Sequence, residues 1–273
     1  MKSTYSRGNA APNLEAVIFD VDGTLADTER DGHRAAFNAA FRESGLDWDW
    51  DETLYGELLK IGGGKERIRA YIERRQPQYS SREDFSAWVA QLHAAKTRHF
   101  TALLQQPGIP LRPGVARLLR ELRQAGVRLA IATTSAPQAV EALLETSLGG
   151  GCGGWFEVIG AGDVVAAKKP APDIYRWVLE RLALPPAACL AVEDSANGLQ
   201  AALGAGLSTL ITVNGYTARE DFSGAAAVLS DLGEPEQPVA AVLKGDLNGR
   251  RYVDAAQLAA WRHSGHNGLP GSP

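Results

Sequence analysis

Two aspartates stand two residues apart at the end of a short apolar run, in Asp20-Val21-Asp22-Gly23-Thr24. In an extended strand end such side chains point the same way, and neighbouring carboxylates are costly unless a cation joins them. Mg²⁺ binds carboxylates, waters and substrate phosphates, so it is the natural occupant. One aspartate is then free to attack phosphorus, while the other donates a proton to the leaving oxygen and activates water. The pair alone equally fits two aspartates that cap a turn.

Polar residues that follow three later strands supply the rest of such a site. Thr133 and Thr134 precede a helix, where a hydroxyl and helix amides bind phosphate, although they also suit a helix cap. Lys169 can neutralise a pentavalent phosphorane, although alone it fits a surface lysine. Glu193 and Asp194 follow a buried strand and offer further oxygen ligands for a metal, and Asp194 also suits a helix cap.

Short apolar strands alternate with amphipathic helices along most of the chain. The predicted strands are Ala16–Phe19, Val127–Ala132, Phe156–Ile159, Cys189–Val192 and Ser208–Val213. The predicted helices between them are Val115–Gln124, Pro137–Thr146, Asp173–Leu182 and Ser195–Ala205. This alternation predicts an α/β fold with a Rossmann-like parallel sheet. Ligands of such sheets bind outside the carboxyl ends of the strands, where all of the polar residues above lie.

The stretch between the first strand and the others has a helical pattern throughout, so we expect an inserted all-helical cap. The expected division is a flexible N-terminal tail 1–13, a core 14–27 and 108–232, a cap 28–107, and a partly disordered C-terminal extension 233–273. One amphipathic helix, about Asp254–His263, is expected in the extension as a packing appendage. Hinges for cap opening are expected near Asp27 and near Gly108–Pro113.

Charged residues of the cap are candidates for substrate binding. Lys65 and Arg67 follow a run of three glycines that opens a helix, a pattern that suits a second phosphate or a flexible loop with solvated charges. Glu29 begins the first cap helix and can accept hydrogen bonds from sugar hydroxyls. His33 and Arg34 face either the substrate or solvent, and a single histidine is more often structural.

The joint pattern of Asp20-Val21-Asp22-Gly23-Thr24, Thr133, Lys169-Pro170 and Glu193-Asp194 resembles the haloacid dehalogenase superfamily from about Glu15 to Leu229. The resemblance implies a phosphatase with Asp20 as nucleophile and Asp22 as acid and base. It implies that Thr133 and Lys169 hold the phosphoryl group. Asp20, the backbone carbonyl of Asp22 and Asp194 are then the Mg²⁺ ligands, with Glu193 as their neighbour or an alternative ligand.

Within that superfamily, four segments resemble the CbbY-type proteins. These segments are 28–34, 63–68, 167–175 and 192–199. The resemblance implies a link to carbon fixation and dephosphorylation of xylulose 1,5-bisphosphate, an inhibitor of Rubisco. A bisphosphate has two anionic ends, which accounts for a cationic cap loop opposite the phosphate-transfer site. The extension beyond about Ser230 departs from the compact family pattern.

Three other functions fit part of this pattern. A β-phosphoglucomutase shares the catalytic residues but returns the phosphoryl group to a sugar. A phosphoglycolate phosphatase handles a small monophosphate and does not depend on Lys65 or Arg67. A phosphosugar-binding regulator without catalysis is a different class, but it would gain little from intact Asp20, Asp22 and Lys169.

The bulk composition is that of an ordinary globular protein, with 273 residues, 45% hydrophobic and 22% charged residues. A net charge of −4 gives no reason to expect a nucleic acid or an anionic membrane as partner. The opening residues have no hydrophobic centre typical of a secretory signal, and no apolar run is long enough for a membrane span. Cys152 and Cys189 lack metal-ligand spacing, so we expect free thiols in a cytoplasmic monomer.

Overall fold

The α/β core is built on a mostly parallel seven-stranded sheet. The computed structural model of the chain describes residues 14–105, 109–149 and 151–262. The strands are β1 Ala16–Phe19, β2 Arg128–Thr133, β3 Phe156–Ala161, β4 Cys189–Glu193, β5 Ser208–Thr212, β6 Ala227–Leu229 and β7 Val242–Lys244, in the order β3-β2-β1-β4-β5-β6-β7. All pairs are parallel except β6 with β7. The predicted fold class is confirmed.

The helices lie in two groups, one in the core and one in the cap. The cap holds a π-helical turn Glu29–His33, α1 Arg34–Glu43, α2 Glu52–Leu59, α3 Gly64–Arg75 and α4 Phe85–Leu104, with a 3-10 turn Pro77–Tyr79. The core holds α5 Val115–Gln124, α6 Pro137–Leu148, α7 Asp173–Leu182, α8 Ala196–Gly204 and α9 Ala255–Arg262. The core also has 3-10 turns at Cys152–Trp155, Gly162–Val164 and Pro186–Ala188. No described helix is long and apolar enough to cross a membrane.

Helices cover both faces of the sheet, which explains why its central strands are continuous apolar runs. In β1, Val17 and Phe19 join the cluster that contains α5, α6 and α9, while Ala16 and Ile18 join the one that contains α7 and α8. Successive residues of a strand point to opposite faces, so each face receives every second side chain. Both faces of β1 are thereby packed, which fixes the position of Asp20 directly after the strand.

The cap has a separate aromatic core. Phe37, Phe41, Trp48 and Trp50 pack with neighbouring rings, with centroids 4.7–6.1 Å apart, and all are buried. Offset and edge-on rings at such separations stabilise a small core beyond their buried area. The cap therefore has a hydrophobic core of its own, apart from those on the two faces of the sheet.

The C-terminal segment contributes to the core. β7 extends the sheet, and α9 packs on its central strands with Leu258 and Trp261 buried. The expected appendage helix is thus part of the core, and its observed bounds are Ala255–Arg262. The tails 1–13 and 263–273, and part of the second hinge, lie outside the described residues.

Candidate active site

The candidate site lies where the carboxyl ends of four adjacent strands meet the cap. Asp20 follows β1, Thr133 ends β2 and Glu193 ends β4, next to β5. Strand order runs in opposite directions on either side of β1 and β4, and ligands of open α/β sheets bind at such a reversal. A cavity of about 90 Å³ lies here, lined by Asp20, Asp22, Thr133, Thr134, Lys169 and Asp194 of the core and by Glu29, Gly62 and Arg67 of the cap.

Lys169 connects the carboxylates of two strands. Its Nζ donates to Asp20 Oδ1 at 2.7 Å, to Glu193 Oε1 at 2.5 Å and to the carbonyl oxygen of Ala132 at 2.8 Å. These contacts use all three donors of the ammonium. Tyr175 Oη donates to the same Glu193 Oε1 at 2.7 Å and completes the cluster.

The acidic cluster holds more negative charge than Lys169 can neutralise. Burial raises the pKa of Asp20 to about 8, although Lys169 acts in the opposite direction. Burial also raises the pKa of Asp194, and the Asp20 and Glu193 charges raise it further. Burial lowers the pKa of Lys169, but the two carboxylates outweigh this effect and raise it overall. The raised carboxyl pKa values indicate that a cation is needed when all three groups are ionised.

The donor set fits a hard divalent cation. Among the described residues, Asp20, Glu193 and Asp194 offer carboxylate oxygens that all lie within 4.8 Å of one another, and all three residues are buried. Oxygen ligands in this number are those that Mg²⁺ takes from proteins. The Asp22 carboxylate lies outside this group. Asp194 is oriented by Asn214, whose Nδ2 donates to its Oδ2 at 2.7 Å.

Three neutral or cationic partners surround the Asp22 carboxylate. Thr28 Oγ1 lies 2.5 Å and His33 Nε2 lies 2.6 Å from Oδ1, and Ser135 Oγ donates to Oδ2. Burial raises the pKa of Asp22, but interactions with His33, Ser135 and Thr28 outweigh it and hold the pKa below its ordinary value. Asp22 is therefore ionised at neutral pH in this structure.

His33 connects Asp22 to a buried lysine of the cap. Its Nδ1 lies 2.7 Å from the Nζ of Lys96, and its ring stacks on Phe100 at 3.9 Å. An ammonium only donates, so Nδ1 accepts and Nε2 carries the proton donated to Asp22. Burial lowers the pKa of Lys96 to about 8, which leaves it mainly charged at neutral pH. His33, expected to bind substrate, instead lies behind Asp22 and is 3% exposed.

Both threonines reach the site from the end of β2. Thr133 is buried, and its Oγ1 accepts from the backbone N–H of Ser135 at 3.2 Å. Both Thr133 and Thr134 line the cavity. The helix that follows, α6, starts two residues after Ser135 with a proline. The same turn thus brings two threonines to the cavity and provides the Ser135 contact to Asp22.

Glu29 and Arg67 enter the cavity from the cap. Tyr55 Oη donates to Glu29 Oε2 at 2.5 Å and accepts from Arg67 Nη1 at 3.1 Å. Arg67 Nε also donates to the carbonyl of Leu58 at 3.1 Å, so its side chain is fixed in the cap. A guanidinium with a fixed fork and a carboxylate in one wall suit the phosphate and hydroxyls of a sugar phosphate.

Two predicted substrate ligands lie elsewhere. Lys65 Nζ pairs with Asp163 Oδ2 of the core at 2.5 Å, in a neighbouring cleft that shares Thr134 with the cavity. Arg34 donates to the carbonyls of Arg30 and Trp50 at 3.2 and 3.3 Å and does not line the cavity. Arg34 therefore belongs to the helix surface of the cap in this structure, whereas Lys65 bridges cap and core.

Sequence patterns did not identify the partners of the aspartates. Thr28, Ser135 and Asn214 stand next to motifs but are residue types common in turns and caps. Lys96 gave a stronger signal, because it is a charge on the otherwise apolar face of α4. A buried lysine needs a polar partner, and such a position points to one even before the partner is known.

Comparisons with known proteins place the chain in a family. A model of the haloacid dehalogenase-like hydrolases matches residues 14–206. The chain belongs to this family. It is 48% identical over 250 residues to protein CbbY, plasmid, of Cupriavidus necator, covering 92% of this chain and 97% of that protein. It is 33% identical over 204 residues to a phosphorylated carbohydrates phosphatase of Thermotoga maritima, covering 73% of this chain and 85% of that protein.

Solved structures agree with this assignment. CbbY from Rhodobacter sphaeroides in complex with phosphate superposes with a TM-score of 0.74 and 46% identity, covering 80% of this chain and 94% of that one. A mutant of the same protein, with the same similarity to this chain, was solved in complex with xylulose-(1,5)bisphosphate. The predicted resemblance is confirmed, and the chain is a phosphatase of the haloacid dehalogenase-like hydrolases.

Proposed function

We propose that this phosphatase hydrolyses xylulose 1,5-bisphosphate through a phosphorylated Asp20, with Mg²⁺ as cofactor. The observation that carries the proposal is the buried Asp20 carboxylate, held by Lys169 beside Glu193 and Asp194 and facing a cavity that Arg67 and Glu29 of the cap also line. The complex of xylulose-(1,5)bisphosphate with a relative 46% identical to this chain supports the choice of substrate.

The core residues divide the chemistry between two displacements. An Asp20 oxygen attacks phosphorus, the bond from phosphorus to the sugar oxygen breaks, and Asp22 gives that oxygen its proton. Asp22 then takes a proton from water, whose oxygen attacks phosphorus and releases phosphate and the Asp20 carboxylate. Thr133, Thr134 and Lys169 bind the equatorial oxygens, where negative charge builds up.

Asp22 needs a proton for the first displacement, although its pKa is low in this structure. A doubly charged phosphate beside Asp22 raises the pKa of its carboxyl group, because like charges disfavour ionisation. Substrate binding therefore supplies the electrostatic change that makes Asp22 an acid. Its hydrogen bonds to His33 and Ser135 keep it aimed at the cavity.

Asp20, Asp194 and Glu193 would hold Mg²⁺, together with the backbone carbonyl of Asp22. When bound, the ion would supply positive charge that offsets both the acidic cluster and the substrate phosphate. The raised pKa values of Asp20 and Asp194 support this need, since without a cation burial favours their protonated forms.

Cap residues would recognise the rest of the bisphosphate. Arg67 and Glu29 line the cavity and suit phosphate and hydroxyl groups respectively. Lys65 would bind the distal phosphate after leaving Asp163. Asp163 is 64% exposed and Lys65 33% exposed, and an ion pair of this kind contributes only about 0–1 kcal/mol. A phosphate with two negative charges can therefore displace the carboxylate.

The test is phosphate release from xylulose 1,5-bisphosphate, ribulose 1,5-bisphosphate, 2-phosphoglycolate and β-glucose 1-phosphate, with Mg²⁺ and then with EDTA. We expect a metal-dependent preference for the xylulose bisphosphate. A preference for 2-phosphoglycolate would overturn the substrate assignment but keep the chemistry. Conversion of β-glucose 1-phosphate without net phosphate release would indicate the mutase, and binding without any turnover would indicate the regulator.

Lys65→Ala tests whether Lys65 binds the distal phosphate of the substrate or only contributes to the overall charge of the protein. The substitution should raise KM for the bisphosphate at least about tenfold and leave KM for a monophosphate unchanged. Lys244→Ala, at an exposed lysine of β7, is the matched control and should change neither value. Equal losses for both substrates in Lys65→Ala would exclude Lys65 as a distal-phosphate contact.

A further inference from the structure

Arg112 begins the return from the cap to the core. The two linkers pair with each other here, because Ala26 and Leu111 form an antiparallel bridge and the Arg112 backbone N–H donates to the carbonyl of Leu25 at 2.9 Å. Leu25 and Ala26 closely follow Asp22. The hinge and the loop that carries the candidate acid and base are therefore one hydrogen-bonded unit.

The Arg112 side chain runs from this hinge under the candidate site and is 7% exposed. Nη1 donates to the carbonyls of Gly23 and Thr212, the latter at 2.8 Å. Nη2 donates to the carbonyls of Val213 at 2.5 Å and Ser230 at 2.7 Å. These four carbonyls come from the Asp20–Thr24 loop and from the ends of the paired strands β5 and β6, so Arg112 joins the loop to this edge of the sheet.

The segments that Arg112 joins are those that carry the site. Gly23 has φ +87°, and a Cβ at this position would collide with the carboxylate of Asp194 and the amide of Asn214. Asn214 directly follows Val213 and donates to Asp194. A shift of Gly23 or Val213 would thus change the distance between Asp22 and Asp194.

Ordinary stabilisation does not explain this arrangement well. A buried guanidinium usually pairs with a carboxylate, but among the described residues Arg112 forms an ion pair only with Asp27, at 3.4 Å, and the Asp27 side chain is 64% exposed. The planar fork fixes the directions of its hydrogen bonds, so it sets the spacing of the carbonyls that it binds. A flexible ammonium would not set that spacing.

We propose that Arg112 is a positioning residue, which fixes the Asp20–Thr24 loop against the ends of β5 and β6 and ties both to the cap hinge. Arg112 does not line the cavity, and although its charge lowers the pKa of Asp194, its hydrogen bonds act through the backbone of Gly23 and Val213. The roles of Asp22 and Asp194 in this proposal rest on the proposed function, whereas the positioning of the backbone does not.

Arg117 offers a matched control, because it makes a similar network away from the site. It is 18% exposed, donates to the carbonyls of Gly233 at 2.9 Å and Val253 at 3.0 Å, and pairs with Glu121 and Glu234. If Arg112 had only a structural role, Arg112→Ala would have the same kind of effect as Arg117→Ala. Both variants would then lose stability without a specific loss of turnover.

The experiment compares Arg112→Ala, Arg112→Lys and Arg117→Ala on para-nitrophenyl phosphate, a generic phosphate ester, below the melting temperature of each variant. We expect Arg112→Ala to lower kcat at least about 10²-fold, since small misplacements of reacting groups have effects of this size. Millimolar guanidinium chloride should restore part of that loss in Arg112→Ala alone. Arg117→Ala should keep kcat within about threefold, even with a comparable drop in Tm.

Two further arms keep the proposal testable. If Arg112→Ala does not fold, Arg112→Lys, which keeps the charge but loses the fork, should lower kcat at least about tenfold. Hydrogen exchange should speed up at amides 23–26 and 213–217 in Arg112 variants and not in Arg117→Ala, whether or not the proposed substrate is right. Wild-type kcat and wild-type exchange at these amides in a folded Arg112 variant would overturn the proposal.

Discussion

At the scale of single residues, Asp20 and Asp22 differ because their surroundings differ. Asp20 lies among carboxylates, with one lysine as counter-ion, and burial raises its pKa to about 8. Asp22 accepts hydrogen bonds from two hydroxyls and an imidazole, which hold its pKa low. Taken alone, these pKa shifts are the reverse of what a nucleophile and a general acid need, so the proposed roles require a bound cation that would lower the pKa of Asp20 and a substrate phosphate that would raise that of Asp22.

Asp20→Asn should lower kcat by more than about 10³-fold, because an amide oxygen cannot form the acyl phosphate. Substrate binding and the melting temperature should change much less, since Lys169 still has Glu193 as a partner. Steady-state kinetics and a thermal melt check both statements. A folded variant that keeps a few per cent of the wild-type kcat would contradict the role of Asp20 as nucleophile.

Lys96→Met should change the pH dependence of stability and also lower kcat. Lys96 keeps its proton up to about pH 10.5 when unfolded but only up to about 8 when folded, because burial lowers its pKa. The unfolded state thus binds the extra proton between these pH values, so Lys96 makes the unfolding free energy rise by roughly 3 kcal/mol across that window. Lys96→Met lacks this rise, and its kcat falls because His33 loses its donor.

Urea denaturation of the wild type and of Lys96→Met between pH 7 and about 10.5 measures this rise. The difference between their unfolding free energies at each pH cancels the contributions of the other titrating groups. Lys244→Met removes an exposed lysine instead and should follow the wild type. If Lys96→Met and the wild type show the same pH dependence of stability, folding does not lower the pKa of Lys96.

The positions of Asp20, Asp22, Thr133, Lys169, Glu193 and Asp194 in one site could be predicted from the sequence, because each follows a strand of the same parallel sheet. Their partners could not. Thr28 and Ser135 reach Asp22, and Lys96 reaches His33, from separate elements, and their directions depend on side-chain packing that no sequence period encodes.

At the scale of elements, the glycine loop before α3 allows the cap to approach the core closely. A Cβ at Gly62 would collide with the backbone carbonyl oxygen of Lys169, and backbone cannot move aside easily. The absence of a side chain at this position therefore permits the closed arrangement of cap and core.

Gly62→Ala should lower kcat/KM about 10²-fold, because the cap can no longer close fully over the site. Gly154→Ala is the control, since a Cβ there meets nothing within 4 Å. Steady-state kinetics on the preferred substrate measure kcat/KM of both variants, and thermal melts show whether both are folded. Unchanged kcat/KM in Gly62→Ala would show that this contact is not required for turnover.

The C-terminal helix α9 should be essential for stability. Trp261 is 5% exposed and packs in the main core cluster. Trp261→Ala should lower the unfolding free energy by about 3–5 kcal/mol, from lost burial and the cavity that remains. Leu243→Ala, at a side chain that is 53% exposed, should change it by no more than about 0.5 kcal/mol. Urea denaturation measures both, and equal stabilities would show that α9 is an appendage.

Most elements agreed with the sequence pattern to within two residues, because long apolar runs and helix periods are strong local signals. β6 and β7 were missed. Each has three residues, too few for a period, and β7 is exposed along its length. The role of α9 was also missed, since packing of a C-terminal helix on distant strands has no local signal.

At the scale of the whole molecule, cap and core close on a cavity too small for the proposed substrate. The cavity measures about 90 Å³, whereas pockets for small molecules usually span about 300–1,000 Å³. Away from the linkers, two polar contacts between cap and core are Lys65 with Asp163 at 2.5 Å and Asn197 with the carbonyl of Lys60 at 2.9 Å. Both contacts are exposed and weak, so we expect the cap to open for substrate entry.

The sequence pattern predicts cap and core as separate units, but it does not predict the contacts between them. Lys65 and Asp163 are 98 residues apart in the chain, and nothing in the sequence relates the two charges. The approach of Gly62 to Lys169 likewise depends on how the cap sits on its linkers. The roles of the cap residues therefore need the structure and experiment more than those of the core residues do.

The central claim is that phosphate passes through Asp20, and the configuration at phosphorus tests it most directly. A chiral phosphorothioate analogue of xylulose 1,5-bisphosphate would be hydrolysed in isotopically labelled water, and the thiophosphate product analysed. Each in-line displacement inverts phosphorus, so transfer to Asp20 and then to water predicts net retention. Net inversion would show that water attacks the substrate directly, and would contradict the account.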